Sequence, residues 1–331
     1  MFLRFLLVLF LVAPVSGQDK ISGQDKKFPT FEEIEKRYGS EVEIHLDQPY
    51  AGNSNPRQML DFYLPKKRAN DKPLPVVVTI HGGAWRGGDR KGTSGVAAYA
   101  STGNYAGVAV GYRLSDEVKW PAQIHDCKAV IRWIRGHAKE FNLDANHIGV
   151  QGSSAGGHLT SLLCLTGDIR ELEGSVGEFT QLSSRIACAV NYCGPSDMTV
   201  PLMQGEAALE DDPAVTGLIG GSLKVKLDAA KAASPITYIR AGTPPLMIVH
   251  GTLDQRVNYS HAVTLDAALK KVGAPSTLIE VTGSGHGIQG GQELSDRVRQ
   301  FFDLHLRGVK TEISDKPIPA QTSTSPQKQV K

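Results

Sequence analysis

The sequence predicts an α/β fold, with one mostly parallel, eight-stranded sheet flanked by helices. Three observations carry that expectation. Short apolar, β-branched runs recur at spacings that leave room for helices between them. In segment 122–138, Ile124, Cys127, Ala129, Ile131, Ile134 and Ala138 recur close to the helical period, which gives one apolar face. Glycine-rich turns with polar residues follow several strand ends, where open α/β sheets place their chemistry.

The elements follow in order. Residues 1–17 carry one basic residue, Arg4, then the apolar run 5–13, and end on the small residues Ser16 and Gly17. The run is too short to span a bilayer comfortably and fits a secretory signal cut after Gly17, so the chain is expected to be secreted or periplasmic, with no stable membrane insertion after cleavage. Residues 18–27 read as a polar linker, in which segment 16–20 recurs at 22–26. Residues 28–308 have the length of one large α/β domain, and the polar segment 309–331 is expected to be disordered.

Within the domain, strands are expected at 42–46, 59–63, 76–81, 108–112, 147–150, 186–192, 246–250 and 278–281. Helices are expected at 95–102, 122–138, 156–165, 260–272 and 292–306. The first two strands, joined without a helix, form the antiparallel edge. Segments 167–184 and 198–233 are left to form a small lid over the strand ends.

Composition excludes some functions. A net charge of +2 without a basic block argues against nucleic acid as a partner. Cys127, Cys164, Cys188 and Cys193 show no CxxC spacing, so no metal site is expected and buried free thiols are the reading.

The fifth strand runs into Ile-Gly-Val-Gln-Gly-Ser-Ser-Ala-Gly-Gly-His at 148–158. Gly152 and Gly156 flank Ser154 at two residues on each side, the spacing of a tight strand-to-helix turn that lifts a serine clear of the backbone. In a chain with 35 glycines the pattern alone is unspecific. It gains weight from three other strand ends. His-Gly-Gly-Ala-Trp at 81–85 can offer the backbone N–H group of Gly83, with that of Ala84 or Gly82, beside that of Ala155, to a developing oxyanion. Asp254 follows the seventh strand and His286 the eighth. A serine hydroxyl needs a base, and an imidazole needs a carboxylate to fix its tautomer. The order Ser, Asp, His is the one this scaffold uses. Asp197 is the competing acid, one strand earlier. Ser153 lacks the central position between the glycines, and His81, His250 and His158 read as structural. Arg113 and Asp126 are candidates for a buried supporting pair.

With these segments in hand, the sequence resembles the α/β-hydrolase superfamily, in its serine esterase branch related to bacterial acetyl and feruloyl esterases (BD-FAE-like) and to the hormone-sensitive lipase group. Further carriers of the likeness are Gly-Tyr-Arg-Leu at 111–114, Ser-Pro-Ile-Thr-Tyr at 234–238 and Pro-Pro-Leu-Met-Ile-Val-His-Gly-Thr-Leu-Asp at 244–254. The resemblance implies Ser154 as nucleophile, Asp254 as acid, His286 as base, and Gly82, Gly83 and Ala155 around the oxyanion hole, with no cofactor. Ala84 replaces a third glycine and Ser153 stands where the lipase group has an acidic residue. The expected substrate is a small-molecule or polysaccharide ester, acetyl or feruloyl, with Trp85 and Trp120 lining the mouth. A serine peptidase of the same fold and a non-catalytic hydrolase-like binding protein are the alternatives. The sequence does not set the oligomeric state.

Overall fold

The structure is a computed structural model that describes residues 28–167 and 169–321. The expected signal segment 1–17 and linker 18–27 lie outside the described residues. Nine strands form one sheet: β1 (Val42–Pro49), β2 (Met59–Pro65), β3 (Leu74–Ile80), β4 (Ala106–Val110), β5 (Leu143–Ser153), β6 (Cys188–Tyr192), β7 (Leu246–Gly251), β8 (Ser276–Thr282) and β9 (Ile318–Pro319). Their spatial order is β1-β2-β4-β3-β5-β6-β7-β8-β9. The pairs β1/β2 and β2/β4 are antiparallel and the remaining pairs parallel, as a helix-covered sheet with one hairpin edge requires.

Among the described residues eight α-helices accompany the sheet: α1 (Phe31–Tyr38), α2 (Ala97–Ser101), α3 (Ala122–Gly136), α4 (Ala155–Leu165), α5 (Pro213–Ile219), α6 (Leu223–Ala232), α7 (Ser260–Lys271) and α8 (Gly291–Arg307). Strand alternation splits the core into two layers. Val76, Val78 and Ile80 of β3 pack with Ile124, Ile131 and Ile134 of α3, Leu159 and Leu162 of α4, and Leu265 of α7. Val77, one residue out of phase, faces the other side with Ala97 of α2 and Val298, Phe301 and Phe302 of α8. The layers are tight. A methyl added at Gly149 on β5 would fall 2.8 Å from the Phe302 ring.

Four expectations need correction. The helix expected at 95–102 is present but shorter, as α2, and a 3₁₀ turn over Arg90–Val96 leads into it. Helix α1 was not expected, although Thr30 and Glu33 form a reciprocal capping box at its start. The tail is ordered as far as residue 321, and its β9 makes a ninth strand. Arg297 of α8 donates to the carbonyls of Ser314 and Lys316, and Ile318 is buried against β8, so a few contacts outweigh a polar composition. Segment 167–184 is not part of the lid, because the ionic grip of Lys128 and Arg132 on Glu173 holds it along α3. The insertion at 198–233 remains as the lid, with Trp120 N–H donating to Leu218 O of α5.

Candidate active site

The turn between β5 and α4 is a single residue, Ser154, with φ 57° and ψ −121°. Positive φ costs a side-chain-bearing residue of the order of 1–3 kcal/mol, so surrounding contacts must impose it. They are visible. A methyl at Gly152 would lie 2.5 Å from Gly156 O, and one at Gly156 would lie 2.1 Å from Ile80 O. Helix and strand can therefore cross only without β-carbons at those two positions. Ser154 N–H donates to Tyr192 O at 2.8 Å, which fastens the turn to β6. The serine stays half-exposed while the rest of α4 is buried.

Asp254 and His286 come together as expected. His286 Nδ1 lies 2.8 Å from Asp254 Oδ2. Asp254 Oδ1 accepts from the N–H groups of Arg256 and Val257, so the carboxylate sits in a nest of donors. The residue after Tyr192 closes the circuit, because Cys193 Sγ donates to His286 O at 3.4 Å. Tyr192 and Cys193 thus bridge the serine turn and the histidine loop. Among the described residues Ser154 Oγ has no hydrogen bond of its own. Such contacts in resting sites are often long and tighten when substrate arrives.

Two residues that read only as structural or as a buried thiol take part in the site. His250 is fully buried with Nε2 3.1 Å from Asp254 Oδ2, a second imidazole on the same carboxylate; its i, i+4 spacing to Asp254 was the available signal. Cys193, read only as a buried free thiol, has φ 44° and places its sulfur within 4.8 Å of Asp254 and His286 ligand atoms. All four cysteines are free and buried, as expected.

The electrostatics follow from these contacts. Burial would raise the pKa of Asp254, but hydrogen bonds from His250, His286 and two backbone N–H groups hold it well below the carboxylate range. Burial lowers that of His286, yet the Asp254 carboxylate and the neighbouring Cys193 outweigh it and raise it to about 10.

The loop after β3 passes directly over the serine. A methyl on Gly82 would meet Ser153 O at 2.8 Å and Ser154 Cβ at 3.3 Å. Gly83 has φ 116°, and a methyl there would lie 2.3 Å from Gly87 O. Ala155 opens α4, where an N–H has no acceptor within the helix. Backbone donors from two elements thus border Ser154.

The tryptophans separate. Trp120 is partly buried against the core near the insertion. Trp85 is 2% exposed and gives its indole N–H to His158, so it does not line an open mouth as expected; its bulk fills the space between loop and helix. The rival acid Asp197 is engaged elsewhere, accepting from Thr199 and Ser234. Ser153 pairs in the sheet opposite Tyr192. His81 is buried, stacked on Tyr112 and lowered by burial to about 4. Arg113 grips the fully buried Asp126 through two nitrogens, with Gln58 on the same carboxylate, and so braces the end of β4.

The chain is similar to known proteins in sequence and in fold. Esterase LipC of Mycobacterium tuberculosis is 29% identical over 239 residues, covering 70% of this chain and 57% of LipC. The chain spans about half the length of the curated relatives it matches. A truncated carbohydrate esterase from gut microbiota superposes with a TM-score of 0.75 at 29% identity, covering 85% of this chain and all of that one. A bifunctional GH43-CE protein of Bacteroides eggerthii gives 0.74 at 32% identity, over 80% of this chain and 35% of that one. The sheet order and the Ser154 turn are those of an α/β-hydrolase, and the BD-FAE family model matches residues 60–269, well over half of the sequence. The chain belongs to the BD-FAE family.

Proposed function

We propose that the protein is a serine carboxylic-ester hydrolase that works through an acyl-enzyme. The observation that carries this reading is the convergence of an imposed serine turn with the Asp254–His286 pair at the ends of three strands. In this reading Asp254 holds Nδ1 protonated, which leaves Nε2 to take the proton of Ser154 as its Oγ attacks the ester carbonyl. The oxyanion rests on the N–H groups of Gly82, Gly83 and Ala155, which are set before the charge develops. His286 returns the proton to the leaving alcohol, and water repeats the sequence on the acyl-enzyme. No step calls for a metal or an organic cofactor.

For the substrate, we infer a small-molecule or polysaccharide-linked ester carrying a short acyl or feruloyl group. The carbohydrate esterase of gut microbiota supports this choice, and Trp120 offers one apolar wall beside the insertion. Export of the protein is part of the same proposal and rests on segment 1–17. No helix of the described residues is long and apolar enough to cross a membrane.

The test is a screen of the purified chain and its Ser154→Ala variant on p-nitrophenyl esters of increasing length, acetylated xylan, feruloyl esters and aminoacyl amides. Ester turnover that Ser154→Ala abolishes is the expected result. Preferential amide cleavage would favour the peptidase reading, and no turnover of any substrate would favour the binding protein.

A further inference from the structure

The loop that carries Gly82 and Gly83 cannot hold its own shape cheaply. Gly83, Ala84 and Trp85 are three successive residues with positive φ, at 116°, 53° and 57°, and two of them bear side chains. Local bonds from the N–H groups of Arg86 and Gly87 to Gly83 O close the turn but do not attach it to the serine. Ser115 N–H holds Trp85 O at 2.7 Å and His81 Nδ1 lies 2.8 Å from Gly82 O, while the link to the serine's own helix is the Trp85 side chain. Its ring meets the His158 ring edge-on with centroids 5.0 Å apart, and its Nε1 lies 3.2 Å from His158 Nδ1.

The contacts assign the histidine tautomer. An indole nitrogen can only donate, so Nδ1 accepts and the proton sits on Nε2. Nε2 then donates to Ala233 O, just beyond α6, at 2.6 Å. His158 is fully buried, on the first turn of the helix that Ser154 begins. Burial lowers its pKa to about 4, so the imidazole stays neutral and the tautomer holds at neutral pH.

We propose that His158 is a positioning residue for the reaction: Nδ1 holds Trp85, and so the loop of Gly82 and Gly83, while Nε2 ties the lid insertion to the nucleophile helix. The proposal rests on the acyl-enzyme reading, since it concerns the donors to that oxyanion. It separates two functions on two nitrogens. Donors that act only on the developing oxyanion affect kcat, whereas the lid acts on substrate retention and affects KM.

The experiment uses the full chain with p-nitrophenyl acetate and p-nitrophenyl butyrate. His158→Asn keeps an acceptor near the place of Nδ1, and His158→Gln keeps a donor near the place of Nε2. Trp85→Phe removes the indole N–H and keeps an aromatic ring. We expect His158→Gln and Trp85→Phe to lower kcat by about tenfold or more with KM within about threefold. His158→Asn is expected to hold kcat within about threefold and to raise KM. Combining Trp85→Phe with His158→Gln is expected to cost no more than the worse single change, because both break one bond. Full kcat in both His158→Gln and Trp85→Phe, or an equal kcat loss in His158→Asn and His158→Gln, overturns the proposal. If His158→Gln does not fold, Trp85→Phe decides alone, upholding the proposal by losing kcat at constant KM and overturning it by keeping kcat. Failure of the acyl-enzyme reading is distinguishable, because then Ser154→Ala stays active.

Discussion

The turn at Ser154 and the insertion 198–233 meet the same end of the sheet on opposite terms. At the turn, methyls added at Gly152 and Gly156 would each fall well inside contact distance of backbone carbonyls. In the insertion, a methyl at Gly205 meets nothing within 4 Å, Leu209 is 54% exposed and Val225 75% exposed. Only an inner line, including Leu218 and Ala230, is buried. The chemistry is thus held by contacts that admit no substitute, while the outer side of the lid is held by few. The reactive geometry is the constrained part of this molecule, and the surface that would meet different substrates is the permissive part.

That contrast can be broken or sharpened in steps of decreasing effect. Asp254→Asn keeps the packing but removes the carboxylate shared by His250 and His286, so kcat on p-nitrophenyl acetate is expected to fall by about 10⁴, with the melting curve showing a folded protein. Gly156→Ala forces α4 away from the end of β3, where the added methyl would meet Ile80 O. We expect a loss of about 3 kcal/mol or more in denaturant unfolding, because backbone cannot yield as a flexible side chain does. A decrease under 1 kcal/mol would show that the crossing is looser than its distances.

The pH profile comes next. The base must be neutral to accept a proton, and Asp254 with Cys193 raises the pKa of His286 from 6.5 to about 10. Protonated His286 is therefore the inactive form over the neutral range, and kcat/KM is expected to climb about tenfold per pH unit toward that value. A plateau already reached at pH 7 would contradict this coupling. The smallest effect belongs to the lid. Val225→Ser is expected to change stability by no more than about 0.5 kcal/mol, read from the denaturant midpoint.

Much of the site was legible because its requirements are local and repeated. Each of Ser154, Asp254 and His286 follows a strand, and Ser154 and His286 also sit among small residues, so pattern and position agree. The Gly-Gly pair at 82–83 was legible for the same reason. His250 and Cys193 were harder to read, since the contact of His250 with Asp254 appears only once the turn after β7 is folded, and Cys193 reaches His286 across strands from outside any motif. Trp85 was misplaced at the mouth, because an aromatic in a glycine-rich loop does not reveal whether it points outward or into the gap beside His158.

The fold shows the same division. Central strands were found where β-branched runs are continuous, while β5 extends to Leu143–Ser153, beyond the apolar run at 147–150. The starts of α1 and α5 carried signals, the Thr30 box and Asp212 capping a helix that begins with Pro213, but these are short helices whose apolar faces are narrow. The tail was unreadable from composition, for its order depends on Arg297 reaching back from α8.

The most direct test of the account is covalent. Incubating the purified chain with a fluorophosphonate and measuring intact mass, followed by peptide mapping, is expected to show one adduct per chain on Ser154 and none on Ser154→Ala. An unlabelled wild-type protein, or a label that persists in Ser154→Ala, would contradict the assignment of this turn as the nucleophile.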